Sequence, residues 1–160
     1  MIFVTTGTQE PFDRLVKAVD ELALIFPDAD FRVQAFTASY SAVNINVFNR
    51  MPPTEFELNI KSADLIISHA GMGTIISALV NSTPIIVMPR LLKYGEHRNE
   101  HQLATAKKLD DMGYVYVAYN EEELIEKVRN IWPGNLKSLH KVGNVASKKL
   151  INSLSNFIKQ

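Results

Sequence analysis

Apolar and polar positions divide the chain into short apolar runs separated by longer stretches of helical periodicity. The short runs are Ile2–Thr5, Phe31–Ala35, Val43–Phe48, Leu65–Ser68, Pro84–Met88 and Tyr114–Val117. Several are continuous rather than alternating, as in strands of a parallel sheet covered on both faces. From Pro11 to Ile25, residues Phe12, Leu15, Val16, Val19, Leu22 and Ala23 share one stripe, the pattern of an amphipathic helix with Pro11 in its first turn. Further helices are predicted over Pro53–Ser62, Thr74–Asn81, Glu96–Met112 and Glu121–Ile131. The last opens Asn120-Glu-Glu-Glu, where Asn120 can cap and the acids complement the positive end of the helix dipole. Strand and helix in alternation predict a Rossmann-like α/β fold, a doubly wound parallel sheet. From Asn135 to Gln160, Leu136, Leu139, Val142, Leu150, Leu154, Phe157 and Ile158 recur at helical spacing with lysines between them. This predicts a long helix, packed on its own sheet or docked on a partner or membrane surface.

The 160 residues suit one domain spanning 1–160 with a core that needs no staples. Seventeen basic residues balance seventeen acidic ones, so there is no net charge to hold a nucleic-acid backbone, and that partner class is set aside. With no cysteine, thiol chemistry and disulfides are excluded, and a reducing cytoplasm is the expected setting. The opening Met-Ile-Phe-Val-Thr-Thr-Gly lacks the basic start of a signal peptide. No apolar run approaches the roughly 20 residues that cross a bilayer.

Three candidate segments each follow a predicted strand, where open α/β sheets bind ligands. In Thr5-Thr6-Gly7-Thr8-Gln9-Glu10, a glycine and small hydroxyls allow close backbone approach to a phosphate or acceptor; an ordinary tight turn is the alternative. In Ser68-His69-Ala70-Gly71-Met72-Gly73-Thr74, two glycines expose amides at a helix N-terminus suited to a pyrophosphate. Thr74 adds a hydroxyl. His69 is placed to bond a phosphate oxygen, with charge assistance if protonated, or else caps the turn as a structural histidine. The spacing is not the Gly-x-Gly-x-x-Gly of dinucleotide enzymes, which argues against an oxidoreductase. In the third segment, Met88 to Gln102, the residues Glu96, His97, Asn99, His101 and Gln102 offer a mixed donor and acceptor set for ribose and sugar hydroxyls. His97 and His101 have the spacing of one helix face, but without a zincin pattern no metal is expected. Arg90, Lys93 and Arg98 give this loop a positive balance, read as favouring a phosphorylated ligand or anionic head group, or as a solvated loop.

These segments, Met1–Val16, Ile67–Thr74 and Pro89–Gln102, resemble the C-terminal, donor-binding domain of family 28 glycosyltransferases. The chain is similar to the E-type small subunit of two-subunit bacterial exopolysaccharide and capsule glycosyltransferases. It is also similar to the catalytic subunit of the dolichol-pathway UDP-GlcNAc transferase. The resemblance implies one half of a GT-B fold and a UDP-sugar donor, with no cofactor and no metal. It implies that Gly71, Met72, Gly73 and Thr74 meet the donor phosphates, that Gly7 and Thr8 face the cleft, and that His101 and Gln102 help hold the donor. Many relatives carry a Glu three residues after the Thr74 position to grip the ribose. Here Ser77 stands there, leaving Glu96 as a substitute.

A GT-B enzyme has two such domains, so the resemblance implies a membrane-associated, acceptor-binding partner subunit that recruits this chain to the inner face of the membrane. The acceptor would be a polyprenyl diphosphate-linked saccharide. The expected reaction is an inverting hexose transfer with His69 and Glu10 as candidate bases. The alternatives are a non-catalytic enhancer of a partner transferase, another nucleotide-dependent α/β enzyme and a structural module. An unpaired cleft face leaves room for a homodimer in the isolated chain.

Overall fold

In the computed structural model, residues 1–134 and 136–143 are described. The six apolar runs pair into one parallel sheet. Its strands are β1 (Ile2–Thr5), β2 (Phe31–Gln34), β3 (Val47–Phe48), β4 (Leu65–His69), β5 (Ile85–Met88) and β6 (Tyr116–Val117), in the order β3-β2-β1-β4-β5-β6. Between them lie α1 (Asp13–Ile25), α2 (Pro53–Ser62), α3 (Met72–Asn81), α4 (His101–Asp111) and α5 (Glu121–Ile131). Because side chains alternate across a strand, successive residues enter opposite layers. Ile2, Val4, Leu65, Ile67, Ile86 and Met88 pack in one layer with α1 and α5 residues such as Leu15, Val19, Leu124 and Val128. Phe3, Ile66, Ile85 and Val87 pack in the other with Ile60, Ile75, Leu79 and Ala106. Each large side chain buried this way contributes roughly 1.5–3 kcal/mol.

Strand order reverses between β1 and β4, which pair Thr5 with Ser68 at their carboxyl ends. The connections leaving these two strands turn to opposite sides of the sheet and open a crevice, the usual ligand site of such folds.

Four expectations are corrected. The run Val43–Phe48 is a strand only at Val47–Phe48, because the Asp20 carboxylate on α1 takes the amides of Val43 and Asn44 (2.7 Å for Asn44) and the Tyr40 hydroxyl (2.7 Å). Those bonds draw this part of the connection over α1 and away from the sheet. Pro11 lies outside α1, which starts at Asp13. The helix predicted from Glu96 starts at His101, because Gly95 adopts φ +69° and the Asn99 side chain accepts the His101 amide at 3.0 Å. Residues 136–143 carry no helix; His140 stacks on Tyr114 with centroids 3.7 Å apart, and the Val142 amide donates to Leu79 O at 3.4 Å. The rest of the long helix predicted over Asn135–Gln160 lies outside the described residues. The expected cap of α5 forms as a reciprocal pair, with Asn120 Oδ1 accepting the Glu123 amide and Glu123 Oε1 accepting Asn120 Nδ2, both at 2.8 Å.

Candidate functional site

The turn after β1 is held from below by a strand residue. Gln34, at the carboxyl end of β2, accepts the Thr5 hydroxyl at 2.6 Å and donates to the carbonyl oxygens of Gly7 (3.3 Å) and Asn49 (3.1 Å). Thr5 Oγ1 in turn accepts the Gly7 amide at 3.2 Å. The turn thus needs φ +75° at Gly7, a conformation that a side chain disfavours.

The same glycine lets His69 in. A Cβ at Gly7 would lie 3.0 Å from His69 Cε1, and one at Gly71 would lie 2.2 Å from His69 Nε2. The imidazole therefore fills the gap between the two turns at the switch point. Its Nδ1 lies 3.5 Å from the Thr5 carbonyl and 3.4 Å from Ser68 Oγ. The carbonyl can only accept and the Ser68 hydroxyl already donates to His69 O at 3.0 Å, so the arrangement assigns the proton to Nδ1 and leaves Nε2 as an acceptor. Burial and then the nearby Arg90 charge push the His69 pKa down to about 4. The charge assistance expected of a protonated His69 is therefore absent at neutral pH in the free protein.

Arg90 follows β5 and is 3% exposed. Its guanidinium lies beneath the β1 turn. Nη2 donates to the carbonyls of Thr6 (2.7 Å) and Glu10 (2.5 Å), and Nε to that of Pro11 (3.4 Å). Its backbone amide donates to the buried Gln102 side chain at 3.2 Å. For Arg90 the solvated-loop alternative is corrected, since the residue is buried; its side chain clamps the first candidate segment to the third.

Around these groups lies a cleft of about 300 Å³ lined by Thr6, Gly7, Thr8, Gln9, Glu10, His69, Arg90, His97 and Gln102. It brings together residues from all three candidate segments. The turn Gly71-Met72-Gly73-Thr74 is not in that lining but lies one residue beyond His69, with Gly71 as the N-cap of α3. No side chain caps this helix, and the first helical amide bond from this turn is Ile75 N to Gly71 O at 3.2 Å. The preceding amides form an uncapped N-terminus of the kind that favours anions. Gly73 has no atom within 4 Å of where a Cβ would sit.

The remaining candidates are placed differently. His101 is exposed at the start of α4 and outside the cleft lining. His97 precedes that helix, so the two histidines do not share a helix face. Among the described residues no three His, Asp or Glu side chains gather as a metal site. Glu96 faces a neighbouring cleft of about 260 Å³, and its oxygens are engaged: Arg14 Nε and Nη2 donate to Oε1 and Oε2 at 2.7 and 2.9 Å, and the Leu91 amide donates to Oε2 at 3.0 Å. That occupancy makes Glu96 a support for the loop rather than a free ribose ligand. Ser77 lines a groove between α2 and α3 with Phe56 and Ile60, outside the cleft. Sequence reasoning missed Gln34 and Arg14. For Gln34 the available signal was a polar residue ending an apolar strand next to the first turn.

Comparison with known proteins bears on the family and the fold. The sequence model of the glycosyltransferase family 28 C-terminal domain matches residues 1–155. The UDP-N-acetylglucosamine transferase subunit ALG13 of Cryptococcus neoformans var. neoformans serotype D (strain JEC21 / ATCC MYA-565) is 33% identical over 108 residues, covering 64% of this chain and 52% of that protein. The subunit of the same name from Candida albicans (strain SC5314 / ATCC MYA-2876) is 34% identical over 111 residues, covering 69% of this chain and 31% of that protein. The match thus spans about half the length of the first relative and about a third of the second. Among solved structures, an NMR solution structure of ALG13 superimposes with a TM-score of 0.57 at 22% identity, covering 96% of this chain and 93% of that one. The glycosyltransferase of kitacinnamycin gives 0.57 at 18% identity, covering 81% of this chain and 34% of that one; at such identities the likeness is one of fold. With its three candidate segments meeting at the switch point of a Rossmann-like sheet, the chain belongs to the family of glycosyltransferase family 28 C-terminal domains.

Proposed function

We propose that this chain is the donor-binding, catalytic subunit of a two-subunit inverting glycosyltransferase. It takes a hexose from a UDP-sugar and passes it to a polyprenyl diphosphate-linked saccharide. The observation that carries this reading is the cleft at the β1/β4 switch point, lined by Arg90 and by His69, whose imidazole packs on Gly71 at the uncapped N-terminus of α3. A nucleoside diphosphate in that place has its charge met by the amides of the α3 N-terminus, so the reading needs neither metal nor cofactor. The relatives named transferase subunits support a partner subunit, here proposed to be membrane-associated and to hold the acceptor. Among the described residues no helix is long and apolar enough to cross a membrane; recruitment by the partner brings the chain to the cytoplasmic face. We place the reaction in exopolysaccharide or capsule synthesis, on the resemblance to the bacterial small subunits.

In the reaction, an acceptor hydroxyl oxygen bonds to the anomeric carbon as the bond from that carbon to the diphosphate oxygen breaks. The electron pair leaves on the diphosphate, and the hydroxyl proton passes to a base. His69 and Glu10 both line the cleft. A bound diphosphate would raise the His69 pKa towards the working range, since a nearby negative charge favours the imidazolium. The low value in the free protein favours one second reading, a non-catalytic enhancer whose partner supplies the base.

Calorimetric titration with UDP, UDP-glucose, UDP-galactose and UDP-GlcNAc, with NAD as control, tests the proposal. Saturable binding of UDP and one sugar nucleotide, with none of NAD, is the expected result. No UDP binding would overturn the donor reading and leave the enhancer.

A further inference from the structure

The cation buried under the first turn is only partly satisfied by the protein. Three carbonyl oxygens take Nη2 and Nε of Arg90, and the Phe12 ring lies 5.0 Å from the guanidinium carbon. Among the described residues no carboxylate forms an ion pair with it, and no hydrogen bond engages Nη1. Among the described residues no fully buried side-chain nitrogen or oxygen lacks a partner. Nη1 is therefore the part of this 97%-buried residue that reaches open space (3% exposed), and the space Arg90 lines is the cleft. Arg14 makes the contrast. It also reaches the loop after β5, with Nη2 3.3 Å from Pro89 O, but Glu96 and Glu121 neutralise it at 2.7 and 2.9 Å.

A buried charge without a counter-charge is costly. Burial pushes the Arg90 pKa down to about 10, against the attraction of the more distant Glu96 and Glu10, so the group stays charged at neutral pH. A fold that retains such a cation facing a cleft fits an anionic ligand as its missing partner.

We propose that Arg90 is the cationic anchor of the ligand's diphosphate, with Nη2 and Nε holding the β1 turn in place while Nη1 donates to a phosphate oxygen. The inference rests on the donor-site reading above and adds the residue that meets the charge. The same guanidinium joins the shape of the turn to the ligand, because the carbonyls it holds belong to Thr6, Glu10 and Pro11. Nucleoside diphosphates and isoprenyl diphosphates share this chemistry; the switch-point location favours the nucleoside.

The test measures binding of UDP, uridine and farnesyl diphosphate to the full chain and to Arg90→Gln and Arg90→Lys, by NMR titration so that weak uridine binding is read as well. Thermal unfolding checks that each variant folds. Removing a charged hydrogen bond should weaken UDP about tenfold or more in Arg90→Gln and leave uridine within about twofold. Arg90→Lys, which keeps the charge, should recover part of the loss. A second readout is the His69 titration: without the guanidinium charge its pKa should rise above about 4, which checks that the guanidinium charge reaches the imidazole at the cleft. Equal losses for UDP and uridine, or unchanged UDP affinity in Arg90→Gln, would overturn the anchor while wild-type UDP binding leaves the donor site standing. Wild-type binding of farnesyl diphosphate but not UDP would overturn the donor reading itself.

Discussion

At His69, burial and a neighbouring guanidinium act in the same direction. Both disfavour the imidazolium, and the folded pKa falls to about 4 from an ordinary 6.5. Between those values the unfolded chain binds a proton that the native protein refuses. Stability from this group is thus fully present above about pH 6.5 and is lost as the pH falls towards 4. A gap of that size is worth roughly 3 kcal/mol. Asp13 and Asp20 act lower on the scale. Burial raises their pKa values, but backbone amides of residues 38–40 on Asp13, and the donors from Val43, Tyr40 and Asn44 on Asp20, outweigh it and leave both below 3.8. Their contribution is lost in more acid solution, so the two windows separate. Denaturant unfolding of the wild type should lose stability between about pH 6.5 and 4, whereas His69→Gln should be nearly flat over that range. Parallel profiles would mean that the histidine is not held neutral by the fold.

The β4–α3 junction shows how an element end can serve fold and ligand through different glycines. At Gly71 a methyl group would meet the imidazole, 2.2 Å from Nε2. Gly71→Ala must displace His69, and it should destabilise the protein by about 1–3 kcal/mol, as overpacking does. At Gly73 a methyl meets nothing within 4 Å. Gly73→Ala should therefore fold at least as well, with a helix gain of up to about 1 kcal/mol, yet it should weaken UDP by standing where the phosphates approach the uncapped amides. Melting temperature and UDP affinity measured together separate the two effects, and a Gly73→Ala variant with wild-type UDP affinity would show that the ligand does not approach α3. The sequence made part of this junction legible, since Ser68 to Thr74 combines a strand end with Gly-x-Gly. It did not indicate which glycine packs on the histidine, because that depends on where the imidazole turns. Elements were legible for a related reason. β1, α2 and α5 carry their own signals in doubly buried runs, a leading proline and an asparagine cap. By contrast, the start of α4 and the segment before β3 are set by Asn99, Gly95 and the distant Asp20.

Across the whole molecule, a doubly wound parallel sheet with candidate loops at its strand ends followed from strand–helix alternation, whereas the strand order did not. What escaped the sequence was which charges face each other after folding. Arg90 and Arg14 both look like surface cations in the chain, yet one clamps carbonyls beneath a turn and the other ties α1 to the β5 loop and to the start of α5. Arg14 bonds Glu96 through two nitrogens, Glu121 at 2.9 Å and the Pro89 carbonyl at 3.3 Å, and its guanidinium carbon lies 4.6 Å from the Tyr94 ring centroid. Glu96 also holds the Leu91 amide, and so anchors the loop that carries His97 to the cleft. Replacing Arg14 by Met leaves the Glu96 side chain, 9% exposed, without its counter-charge, and should cost about 3 kcal/mol. Glu96→Gln strands the arginine less severely, because Glu121 remains. In the double variant the stranded carboxylate is gone, so the combined loss should be smaller than the two single losses added, by about 1–3 kcal/mol. Additivity within about 0.5 kcal/mol would show that the pair is not coupled. Because the same bonds set the loop above the cleft, Arg14→Met should also weaken UDP while Glu121→Gln, which removes only the outer contact, should leave UDP affinity within about twofold.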